Sequence, residues 1–150
     1  MRLSVPCLTL LVLAACRPTL PSPAMSRVGT PVEASFGKTW DATIDAFADR
    51  AVSIETLDRS SGLIVPAGRS FRPGRDALES LAYADCGKSA LGQVIYPLTV
   101  KYNVVVRGDS TRSTVLVRAF YRSDEEVVCS SKGLFERGSE EAIKSRAERR

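Results

Sequence analysis

From residue 98 to 106 the chain alternates: Leu98, Val100, Tyr102, Val104 and Val106 stand against Thr99, Lys101 and Asn103, with Val105 out of step. A period of two marks a half-buried strand. Gly108-Asp109-Ser110 has turn chemistry, and Ser113 to Tyr121 returns rich in Val, Leu and Phe. Together they predict a long antiparallel hairpin. Earlier the period changes. Phe36, Trp40, Ile44, Phe47, Ala48 and Ala51 recur at helical spacing, which predicts an amphipathic helix over Ser35–Ala51 with Ser35 capping its start.

Shorter signals lie between and after these. Ser53 to Leu57 and Gly62 to Val65 predict two short strands about the turn Asp58-Arg59-Ser60-Ser61-Gly62, the second stopped by Pro66. Ala67 to Glu79 is polar and holds Gly68, Pro73, Gly74 and the arginines Arg69, Arg72 and Arg75. It predicts a long loop with a helical turn near Asp76 to Leu81. Leu134, Phe135, Ala142 and Ile143, set among charges, predict a last helix reaching toward Arg146, weakened in its middle by Gly138 and Ser139. The expected fold class is α+β: an antiparallel sheet of about four strands with two helices packed on one face.

The first residues follow neither period. Arg2 precedes an apolar run from Leu8 to Ala15 that ends in Leu13-Ala14-Ala15-Cys16. The uncharged stretch is shorter than the roughly 20 residues a bilayer requires, so it reads as an export signal rather than a spanning helix. Arg17 to Val32 carries Pro18, Pro21, Pro23 and Pro31 with little apolar patterning, as a tether does; extended, it would reach on the order of 50 Å. The organisation expected is a signal over 1–15, an attachment point and tether over 16–34, and one domain over 35–150.

Composition sharpens this by exclusion. The 150 residues hold no histidine, so no Ser-His-Asp or Cys-His site and no histidine-bearing zinc site can form. The formal charge of +4 is mild and scattered and makes no case for nucleic acid. Of the four cysteines, Cys7 leaves with the signal, Cys16 ends it, and Cys86 and Cys129 remain. In an exported domain a single remaining pair is most simply a disulfide, with a loop-closure stabilisation of ~4 kcal/mol; a redox pair is the alternative, though nothing resembles Cys-x-x-Cys.

Catalytic motifs fail on inspection. Gly37-Lys38-Thr39 ends like a phosphate loop, but Val32 stands where its first glycine belongs. Ser35-Phe36-Gly37-Lys38 fits Ser-x-x-Lys without the companion motifs, and Ser130-Ser131-Lys132 is no more specific. Two clusters are candidates for partner binding. Asp41, Asp45 and Asp49 form an acidic stripe, which would suit a basic partner or a cation; on a solvated face its like charges call for an Arg or Lys nearby. Arg69, Arg72 and Arg75, near Phe71, suit anionic lipid phosphates or a solvated loop. Arg146, Arg149 and Arg150 complement the dipole of the last helix.

Leu-Ala-Ala-Cys resembles the lipobox of bacterial lipoproteins, which implies diacylation of Cys16 at sulfur and further acylation on its amine. Arg17, rather than Asp, follows the cysteine and implies the outer membrane, with the domain on its periplasmic face. Two or three acyl chains anchor stably where one does not. Trp40-Asp41, Ile54-Glu55 and Asp58-Arg59-Ser60-Ser61-Gly62-Leu63-Ile64 resemble a pattern in the helix-grip domains of the outer-membrane assembly accessory lipoprotein BamC. Asp85-Cys86-Gly87 and Cys129-Ser130-Ser131-Lys132-Gly133-Leu134-Phe135-Glu136 are similar to motifs of small single-domain bacterial lipoproteins. The resemblance implies a non-enzymatic, cofactor-free envelope protein used for protein interaction or assembly. The alternative is a carrier or sensor that grips a lipid or small hydrophobic ligand between sheet and helix.

Overall fold

The computed structural model describes residues 18–21, 27–124 and 127–150; the signal segment 1–15, Cys16 and Arg17 lie outside the described residues. In chain order the elements are β1 (Thr30–Val32), α1 (Phe36–Ala48), β2 (Ile54–Asp58), β3 (Leu63–Pro66), β4 (Arg69–Ser70), α2 (Ala77–Tyr83), β5 (Ala84–Asp85), β6 (Thr99–Gly108), β7 (Ser113–Arg122), β8 (Val128–Ser131) and α3 (Leu134–Glu148).

The hairpin expected from the alternating pattern is β6 and β7, paired from Thr99↔Arg122 to Gly108↔Ser113. Val100, Tyr102, Val104 and Val106 of β6 and Val115, Val117 and Tyr121 of β7 are buried. Against this face pack α1 and α3, which also contact each other. Trp40, Ala46 and Phe47 of α1 and Ile143 and Ala147 of α3 complete the core. Ser35 caps α1 as expected, accepting the Lys38 N–H. Inside, Thr39 Oγ1 and Ser113 Oγ lie 2.7 Å apart in a hydrogen bond that fastens α1 to the start of β7.

The expectation of about four strands and two helices is overturned: among the described residues the sheet is an eight-stranded, curled antiparallel half-barrel, accompanied by three helices. The reason lies in how the spine is covered. The main path runs β2-β3-β6-β7-β8-β5. In addition β3 and β4 pair with β6 in succession, at Leu63↔Val105 and Arg69↔Val100. On β7, β1 takes Ser113 to Val115 and β8 takes Tyr121 and Arg122. The strands of two or three residues, β1, β4 and β5, have no room for an alternation of their own and form as partners of longer neighbours.

The last residues of the stretch read as a tether, Thr30–Val32, form β1, and Val32 is only 1% exposed. The turn expected near Asp76 is the seven-residue helix α2. Cys86 and Cys129 are joined in a disulfide that closes 43 residues around the hairpin. Gly62, at φ 71°, holds the β2–β3 turn against β6: a Cβ there would lie 2.0 Å from the Val106 carbonyl oxygen.

Candidate functional site

Helix α1 does not run on to Ala51. The Ala51 N–H donates to the Ala48 carbonyl and the Val52 N–H to the Phe47 carbonyl, the paired bonds of a Schellman turn. Ala51 occupies the left-handed position of that turn at φ 51°, where glycine is usual. The turn sets Arg50, Ala51 and Val52 along one side of an open cleft of about 630 Å³ between the helices and the sheet. Its floor is Val100, Tyr102 and Val104, and its walls include Phe47 of α1 with Phe135 and Ile143 of α3. Tyr102 meets Phe135 edge-on at 5.0 Å and Phe47 at 6.2 Å.

Arg69 of β4 also lines the cleft, with its guanidinium 5.5 Å from the centre of the Phe71 ring. Burial raises the Tyr102 hydroxyl above its ordinary range, and the positive charges of Arg50 and Arg69 pull it the other way. The other loop arginines go elsewhere: Arg72 pairs with Asp76 at 3.6 Å, and Arg75 is exposed and outside the cleft lining. The structure therefore divides the Arg69, Arg72 and Arg75 cluster.

The acidic stripe has the arginine neighbours that its repulsion calls for. Arg146 bridges Asp45, at 4.0 Å, and Asp49; Arg150 also pairs with Asp45. Asp41 meets Arg59 at 3.8 Å, and that guanidinium lies over the rings of Phe36 and Trp40. The stripe is thus the seam by which α1 binds α3 and the β2–β3 turn. Among the described residues no three His, Cys, Asp or Glu side chains cluster in a way that would hold a metal ion. Nor is any helix among them long and apolar enough to cross a membrane.

A second groove, about 520 Å³, opens where β7 is covered by neither β1 nor β8. Behind it Glu140, fully buried, accepts three donors: Arg27 at 2.8 Å, Thr30 Oγ1 at 2.7 Å and the Val117 N–H at 2.8 Å. A carboxylate here substitutes for the missing strand. Glu136 is bonded through Oε1 to Ser131 Oγ, while its Oε2 is buried with no hydrogen-bond partner. Desolvation, and then this carboxylate, raise the Tyr121 hydroxyl. Phe120 and Val128, 55% and 63% exposed, flank the groove.

Sequence reasoning missed Arg50, Tyr102 as a cleft residue, Glu136 and Glu140. The glutamates had a signal: with Ile143 and Ala147 they follow helical spacing, so a charged residue shares the buried face of α3. Arg50 had none, being one of many surface arginines until the Schellman turn aims it. No protein family model matches the chain, and no curated protein matches its sequence.

Proposed function

We propose that the chain is a non-enzymatic lipoprotein held through Cys16 at the periplasmic face of the outer membrane, with a domain that carries or senses a small apolar ligand. One observation carries the ligand reading: the apolar cleft between helices and sheet, of a volume usual for small-ligand sites. Support for the anchor comes from Leu13-Ala14-Ala15-Cys16, from Arg17 after it and from the prolines that follow. Kinship with small envelope lipoproteins rests on Trp40-Asp41, Asp85-Cys86-Gly87 and the Cys129 to Glu136 segment.

Two measurements test it. A fatty-acid analogue labels the exported protein and Cys16→Ser abolishes the label; labelling that persists removes the anchor. A neutral naphthylamine fluorophore brightens on binding the wild-type protein, and Ser139→Phe, which fills the cleft from α3, removes the response. A second reading, a protein partner in the envelope, is favoured by exposed Phe120 and Val128 beside the second groove. A photo-crosslinker at Phe120 that captures one defined protein in intact cells, with no lipid captured from position 139, would move the assignment to it.

A further inference from the structure

The cleft is apolar beneath and cationic at its edge. Among the described residues its lining contains no Asp or Glu, and the charged residues in it are Arg50 and Arg69. They come from different elements, the turn after α1 and strand β4, and both act on the one Tyr102 hydroxyl in the floor. Neither has a carboxylate partner among the described residues; other arginines such as Arg75 and Arg118 share that, but Arg50 and Arg69 line the cleft.

Both guanidiniums are nevertheless held. Arg50 donates from Nη1 to the Ala46 carbonyl at 2.9 Å, which keeps it over the C-terminal end of α1, where the helix dipole favours a cation. Arg69 rests on Phe71. A guanidinium has five N–H donors, so most remain for a ligand, and their planar fork fits carboxylate and phosphate oxygens. A cationic head group would be repelled, and a neutral one would leave both charges unanswered.

We infer that the cleft takes an anionic amphiphile, with a single apolar chain over Val100, Tyr102 and Val104 and an acidic head group between Arg50 and Arg69. This rests on reading the cleft as a ligand site and adds the charge of what enters it. A free fatty carboxylate and a phosphate-headed lipid share that chemistry.

The test uses the full chain carrying Cys16→Ser, so that no attached acyl chain competes, with the neutral naphthylamine fluorophore as reporter. Competitors are dodecanoate, dodecyl phosphate, dodecanol and dodecyltrimethylammonium, all below micellar concentration. Dodecanoate or dodecyl phosphate should displace the reporter at least tenfold more effectively than dodecanol, and the ammonium less effectively than dodecanol. Whichever anion competes better identifies the head group. Arg50→Gln with Arg69→Gln should erase the anion preference, so that the two anions compete no better than dodecanol against the reporter; Arg75→Gln, outside the cleft, should change neither reporter affinity nor preference. If the reporter binds and the four competitors are equal, or the preference survives the double substitution, the charge inference is overturned and the ligand site stands. If the reporter does not bind, both fall.

Discussion

Replacing Glu140 with alanine removes the one acceptor shared by three donors from three parts of the chain. Arg27 and Thr30 are only partly buried and regain some water, but the Val117 N–H stays in a buried position with no acceptor. Three charge-assisted hydrogen bonds at roughly 1.5–3 kcal/mol each would overshoot, because two of the donors recover solvent. Breaking one side of a buried ion pair costs about 3–5 kcal/mol, and Glu140→Ala should fall in that range. Glu140→Gln keeps the volume and one acceptor for Val117 while losing the charge that faces Arg27, so about 1–3 kcal/mol is expected. Urea unfolding followed by the fluorescence of Trp40, which is 2% exposed and the only tryptophan, reads both changes. The reasoning is refuted if Glu140→Ala unfolds within about 1 kcal/mol of wild type, or if glutamine costs as much as alanine.

Ala51→Gly should stabilise the protein by about 0.5–1 kcal/mol, since relief of left-handed strain exceeds the added backbone entropy; a lower urea midpoint would contradict it. The carboxyls of Asp58 and Asp109 are held down to about 2 from an ordinary 3.8, the first chiefly by the Ser60 and Ser61 hydroxyls, the second by the Arg112 and Thr111 backbone N–H groups. Their folded forms bind protons less readily than the unfolded chain, so the stability they contribute is present above pH 3.8 and is lost as pH falls toward 2. Asp58→Asn with Asp109→Asn should flatten that acid limb in unfolding measured across this window. Reducing the disulfide, which spans 43 residues, should lower stability by about 4 kcal/mol on the loop-entropy account; equal urea midpoints with and without dithiothreitol would show that the loop ends are held by other means.

What the sequence made legible was whatever repeats. The period of two in β6 and the period near 3.6 in α1 each cover several turns of their pattern, so hairpin and helix were readable. β4 and β5, two residues each, have no room for a pattern, and β1 has Pro31 at its centre, where proline signals a tether. These strands exist because the long hairpin offers them edges, which is a tertiary fact. The cleft was hidden for the same reason. Tyr102 reads as a core residue of a strand, and only the packing of α1 and α3 against the curled sheet leaves space above it. Asp45 and Asp49 could be read as a stripe, but their partners lie about a hundred residues away, Arg146 in α3 and Arg150 just past its end, where the sequence offers the helix dipole as their role.

Strand β7 is where the two ends of the chain meet. Thr30 and Arg27 reach Glu140 across 110 and 113 residues of sequence, and the three together complete an edge of a strand made in between. A chain synthesised from its N-terminus at about 5–20 residues per second therefore offers β1 nothing to hold until β7 and then α3 have emerged. Contacts of such long range also close slowly. Timing is thus built into the topology: β1 and the Glu140 cluster gain their partners only after β7 and α3 have been made.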